Sequence, residues 1–319
     1  MLKREVMQRG LFERQYGYYA LQFGLFFALL GASVAGIVLL QPFLLKLACV
    51  VPLTMSILQA SFLSHDLGHR QVFKSVRNND RALLLLSLFI GASRGWWIDT
   101  HNQHHDYPND AERDPNLRVP FLAFSPEQAS SYSGFTRALM RFQGIYFWAF
   151  VLLEGLAMKI HSARYLLRTP SASYRNVELA LMAGHIVLFG LLVATTMTLG
   201  QALLFVAVQH ALNGMYIGLV FAPNHKGMPL FDQVAGDGFL TQQVVTTRNV
   251  RHFFTATWLI GGLHFQIEHH LFTNLPRNLL PQARQLVKPY CDERGISYVE
   301  TGLFESYAQV SRNFTEVAK

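Results

Sequence analysis

Thirteen histidines occur in this 319-residue chain, and eight of them fall in four short motifs. The first is His65-Asp-Leu-Gly-His69 and the second is His101-Asn-Gln-His104-His105. The third is Asn224-His225 and the fourth is Gln266-Ile-Glu-His269-His270. On a helix, residues three and four apart share a face, so His65 and His69 can address one metal ion. His101, His104 and His105 offer three imidazoles from one surface, and Gln266, His269 and His270 repeat that spacing with an amide first. Neutral imidazole suits iron, zinc, copper or nickel. The two cysteines, Cys49 and Cys291, lie away from every cluster, which argues against a soft thiolate site and against a disulfide framework. Eight imidazoles and one amide oxygen make nine donors. A zinc site takes about four, and nine overfill any single ion. Two ions of five or six coordination, with positions left open, suit this set, and iron is the metal that uses such positions with oxygen.

The elements that must position these donors are membrane spans. Apolar residues make up 51% of the chain and charged residues 15%, against roughly 25% charged in soluble domains; disorder and nucleic-acid partners are excluded on the same figures. Crossing a bilayer takes about 20 mostly apolar residues, and four stretches qualify: about 17–40, 43–63, 179–199 and 202–222. Gln41-Pro42 joins the first pair and Gly200-Gln201 the second, so the expected fold is all-α, with four transmembrane helices as two hairpins. The histidine segments, 64–178 and 223–319, form a helical cap carrying the metal site, within a single domain over 1–319. The stretch 82–91 is too short to cross, and 145–160, which carries Glu154 and Lys159, suits an interfacial helix.

Charge sets the orientation. Of 27 Lys and Arg, only Lys46 falls within 17–63 or 178–222, leaving 26 on the side that holds both termini. The positive-inside rule makes that side cytoplasmic, and the net charge of +7 attracts anionic headgroups there. The segment 1–15 lacks a secretory cleavage pattern. The five remaining histidines read as bystanders: His185 and His210 as neutral residues bonded to a neighbouring helix, His161 and His252 as interfacial, His264 as a pocket residue. Trp96, Trp97 and Trp258 stand near the motifs as linings of an acyl tunnel or as interface anchors. Asp66, Asp106, Asp110, Asp114 and Glu268 are close enough in sequence to orient imidazoles.

HDLGH, HNQHH and QIEHH on paired spans resemble the three histidine boxes of the membrane fatty acid desaturases, and the Gln heading the last box resembles the front-end, acyl-lipid branch. The stretch Phe221-Ala-Pro-Asn-His-Lys-Gly227 shares that resemblance. The likeness covers roughly 17–281. It implies a di-iron, O2-dependent enzyme that introduces a double bond into a fatty acyl chain carried on CoA, acyl carrier protein or lipid. By motif, the implied iron ligands are His65, His69, His101, His104, His105, His225, His269 and His270, with Gln266 as a further metal contact and Asn224 as one through water. The sequence holds neither a His-Pro-Gly-Gly haem motif nor a Gly-x-Gly-x-x-Gly dinucleotide fingerprint, so the expected electrons come from a ferredoxin, a cytochrome b5 or a reductase.

Three other readings compete. A di-iron hydroxylase, acetylenase or epoxidase uses the same ligands. HDLGH as a variant zinc helix gives an intramembrane metallohydrolase, though it places Asp where the general base should be and leaves two boxes unexplained. A metal transporter or receptor needs polar residues along the spans, and these are nearly free of charge.

Overall fold

The computed structural model describes residues 1–234, 238–251 and 257–319. The described residues are predominantly helical. They include one parallel pair of three-residue strands, in which Asn249–Arg251 pairs with Glu300–Gly302. They fall into two compact units, each gathered from separate stretches of chain: Arg14–Asp99 with Val151–Ile217, and Met1–Glu13 with Thr100–Phe150 and Gly218–Lys319.

The first of these units carries most of the apolar helix. Tyr16–Leu39, Phe43–Gly68, Arg175–Thr196 and Leu199–His225 are long and apolar enough to cross a membrane. Only 22% of the most apolar stretch of the first helix is buried, and 17% of the third. Leu21, Phe27, Ile186 and Leu191 are exposed. Helices apolar on the outside as well as the inside are stable only in lipid. The protein is an all-α membrane protein. Lys46, the one basic residue inside a hairpin, donates to the carbonyl of Thr196 at 2.6 Å, satisfying an orphan acceptor at a helix end.

Helix ends depart from the sequence expectation wherever polarity and hydrogen bonding part company. The second span breaks at Cys49 and then runs from Val50 to Gly68, five residues past the apolar stretch. Ser64, His65 and Asp66 lower the hydropathy but keep their backbone hydrogen bonds, and the helix stops only where Arg70 turns left-handed (φ 58°). The third span begins at Arg175 because Glu178 is buried. It accepts from the Ser93 hydroxyl at 2.5 Å and the Gly95 N–H at 3.1 Å, at the start of Arg94–Asp106. The fourth span continues through Pro223 to His225. Proline has no N–H for the Leu219 carbonyl, and the Tyr307 hydroxyl takes that acceptor at 2.8 Å.

The two shorter apolar stretches are bent. Val76–Ile90 closes on Gly91 in the left-handed region (φ 73°), and a 107° bend leads into Arg94–Asp106. Gln143–Val151 meets Glu154–Arg168 at 70°. Counting each bent pair as one crossing raises the number of candidate spans from four to six.

In the other unit, Leu2, Val6 and Leu11 share one apolar core with Ala283, Val287 and Cys291 of the helix Leu280–Asp292 and with Ile267, Phe272 and Leu275. The fourth histidine motif is therefore built on an apolar core. Arg248, fully buried, donates to the carbonyls of Pro223 and Lys226 and to the Gln309 side chain, tying the end of Leu199–His225 to Leu303–Val317. Burial lowers its pKa to about 10.

Candidate metal centre

Helical geometry sorts the imidazoles. Consecutive residues on a helix point about 100° apart, whereas residues four apart nearly align. On Arg94–Asp106, His101 and His105 therefore face one way, their Nε2 atoms 3.0 Å apart, and His104 faces another. On Gln266–Leu271 the neighbours His269 and His270 diverge in the same manner. Two groups result. His104, His225 and His270 present ligand atoms within 4.8 Å of one another, and so do His101, His105 and His269. All six are buried except the half-buried His101.

Hydrogen bonds at the far side of the rings fix which nitrogen faces inward. Asp114, fully buried, accepts from His104 Nδ1 at 2.9 Å and from the backbone N–H groups of Asn109 and Asn116. Burial alone would raise the Asp114 pKa, but His104, Lys226 and the Asn116 N–H outweigh it and hold the carboxyl down at about 2. Gln243 gives its NH2 to the His105 carbonyl at 2.8 Å, so its oxygen faces His270 Nδ1, also at 2.8 Å. His104 and His270 thus carry their protons on Nδ1 and direct Nε2 lone pairs into the group. His104 Nε2 lies 3.3 Å from His225 Nε2. Adjacent donors on one ion, at bond lengths of about 2.0–2.1 Å, stand about this far apart, and a cation removes the repulsion between facing lone pairs. The residues fit a metal ion.

Asn109, itself left-handed (φ 59°), holds the surroundings together. Its side-chain NH2 lies within hydrogen-bonding distance of the carbonyls of His225, Pro229 and Thr246, at 3.0, 3.3 and 3.1 Å. Replacing Asp114 with Asn removes the charge that fixes the His104 tautomer. We expect a 10–100-fold loss of metal affinity, the usual effect of removing such an outer partner, read by chelator competition on purified protein. An unchanged affinity would take Asp114 out of the site.

In the other unit, His65 and His69 face each other across one helical turn, ring centroids 4.7 Å apart. Trp97 packs edge-on to both, at 5.6 and 5.8 Å. Its indole lies over Gly68, where a Cβ would stand 2.0 Å from the ring. Asp66 Oδ1 lies 3.4 Å from His65 Nδ1, a weaker contact than that at Asp114.

The structure separates the remaining acidic residues. Asp106 is exposed, and Asp110 caps its own turn and pairs with Arg113. Glu268 is fully buried and accepts from the Tyr298 hydroxyl at 2.6 Å and the Asn249 amide at 2.8 Å. Burial pushes its pKa up to about 7 against those bonds. His185 donates to the Leu88 carbonyl on a neighbouring helix, and His210 to Val206 on its own. His161 is exposed and stacks on Trp96, while His264 is buried outside both imidazole groups. His252 lies outside the described residues. Asn109, Gln243, Asn249, Tyr298, Arg248 and Tyr307 have no spacing relative to the histidines that marks them in the sequence; only folding shows their part.

The family model described as fatty acid desaturase matches residues 41–302. An acyl-lipid (9-3)-desaturase of Physcomitrium patens is 27% identical over 98% of this chain and 61% of its own length. The Delta(6)-fatty-acid desaturase fat-3 of Caenorhabditis elegans is 29% identical over 85% of this chain and 64% of its own. A Delta(8)-fatty-acid desaturase of Euglena gracilis is 30% identical over 93% of this chain and 73% of its own. The chain thus spans about three-fifths of the length of the first two relatives.

Proposed function

Because the chain belongs to the fatty acid desaturase family, we propose that it is an O2-dependent di-iron desaturase placing a double bond in a fatty acyl chain. The observation that carries this reading is the sorting of six imidazoles into two groups of three, each with ligand atoms within 4.8 Å. His104, His225 and His270 would hold one ion, and His101, His105 and His269 another. The motif HDLGH adds His65 and His69 as further iron ligands.

Reduced iron with O2 supplies an oxidant able to take hydrogen from an unactivated methylene, which no side chain provides. The balance is two hydrogens from the substrate, and two electrons from an external donor together with two protons from solvent, with O2 leaving as two waters. The chain's own residues hold and orient. Asp114 and Gln243 keep the Nδ1 protons of His104 and His270 turned outward. The core beneath Ile267 and Phe272 holds the helix that parts His269 from His270. A ferredoxin, cytochrome b5 or reductase would deliver the electrons. A cytoplasmic metal site, with both termini on that side, follows from the 26 basic residues outside the hairpins.

Expression in a host lacking the product, followed by gas chromatography of its fatty acids, tests the reading. We expect a new acyl species two hydrogens poorer than its precursor, absent when His104→Ala is expressed. A hydroxylated product would shift the assignment to a sister reaction. An unchanged profile across many fed acyl chains would remove it.

A further inference from the structure

We propose that Gln266, the residue heading the last histidine motif, is not an iron ligand but a hydrogen-bond donor beside the ion held by His104, His225 and His270. This rests on the di-iron reading above and concerns what completes that ion.

The orientation of two buried amides carries the inference. Asn224 has one side-chain amide atom at 3.2 Å from the carbonyls of both Val220 and Leu263. Two carbonyl oxygens demand a donor, so that atom is the NH2 group. The same NH2 lies 3.2 Å from the nearer amide atom of Gln266. A donor there demands an acceptor, so Gln266 turns its oxygen to Asn224. Its nitrogen is then the atom 3.0 Å from His225 Nε2. Turning the Gln266 amide over would set two NH2 groups against each other where both residues are buried, leaving a buried donor without an acceptor.

Chemistry follows from that sign. An amide binds a cation through its oxygen, and here the oxygen is committed to Asn224. Once His225 Nε2 gives its lone pair to the ion, the Gln266 NH2 has no acceptor on the ring. It faces the space beside the ion with its hydrogens forward. Such a group repels the cation but binds an anion or other oxygen or nitrogen donor that the ion takes from outside. Gln266 thus leaves that ion with three protein imidazoles and open positions, and supplies one positioning contact to whatever small ligand enters them.

Azide on the oxidised, iron-loaded protein is a suitable probe, because it binds open ferric positions and its charge-transfer absorption reports the affinity without turnover. For Gln266→Ala we expect two irons per chain, iron affinity within threefold of the unsubstituted protein, and azide affinity lowered roughly tenfold through loss of a hydrogen bond to an anion. His270→Ala, on the same helix, is the control and loses an ion. Gln266→Glu keeps the shape and removes the donor, so it should tighten iron while weakening azide, which preserves the comparison if the alanine variant folds poorly. Iron affinity falling in Gln266→Ala as far as in His270→Ala overturns the proposal, since Gln266 is then a ligand. Unchanged azide affinity overturns it from the other side. Two irons retained by His270→Ala would sink the metal reading itself, and this inference with it.

Discussion

His104→Ala is expected to yield a membrane-inserted protein with one iron fewer per chain and no detectable product. His104 has its Nε2 3.3 Å from that of His225, and its other nitrogen is fixed by Asp114. Alanine removes the donor and leaves Asp114 buried without its imidazole partner, so both the ion's grip and its surroundings are lost. The activity loss should exceed the 10–100-fold typical of an outer partner, because a ligand itself is gone. His269→Ala should remove the other ion, since His269 sits with His101 and His105, ring centroids 6.4 and 4.9 Å away. Elemental analysis of the purified variants, beside their fatty acid profiles, decides it. Two irons per chain in both variants would leave the imidazole groups without a metal role. The helices carry the apolar core independently of these rings, so insertion and yield should change little.

Gly68→Ala should be strongly destabilising in the unit that carries His65 and His69. The added Cβ would stand 2.0, 2.8 and 3.1 Å from three atoms of the Trp97 six-membered ring, well inside van der Waals contact. The glycine lies in the helix that carries His65, and Trp97 also rests edge-on against His65 and His69, so the indole cannot retreat without disturbing them. Overpacking in a filled interior costs about 1–3 kcal/mol, and a conflict this close belongs at the upper end. A double-mutant cycle with Trp97→Leu, followed by thermal unfolding in detergent, tests the cause. Trp97→Leu alone destabilises by opening a cavity, but together the two changes should destabilise by less than their sum, with a coupling of about 1 kcal/mol or more. Simple additivity would show that Gly68 is there for some reason other than the indole.

Much of this was legible before folding. Four apolar stretches marked the helices long enough to span a membrane, and the motif spacing marked histidines that folding gathers into groups able to hold a metal ion. The helix ends were misplaced where polarity stood in for hydrogen bonding. His65 falls inside the second span's helix, and Pro223 lies within the fourth because the Tyr307 hydroxyl replaces the N–H that proline lacks. The carboxylates were less legible still. Asp66, Asp106, Asp110, Asp114 and Glu268 look alike by distance along the chain, yet Asp114 fixes His104, Asp110 serves its own turn, and Glu268 binds Tyr298 and Asn249. Sequence distance cannot distinguish them, because hydrogen bonds depend on direction within a few ångströms.

An α-helical membrane protein rich in clustered imidazoles follows from residue order alone, since length, hydropathy and residue type are properties a chain carries unfolded. How His101, His104, His105, His225, His269 and His270 divide between two groups, and which atom of Gln266 faces the imidazoles, emerge only on folding. Both are matters of orientation. A helix turns neighbouring side chains about 100° apart, and a buried amide takes whichever end its partners from distant stretches of chain will accept.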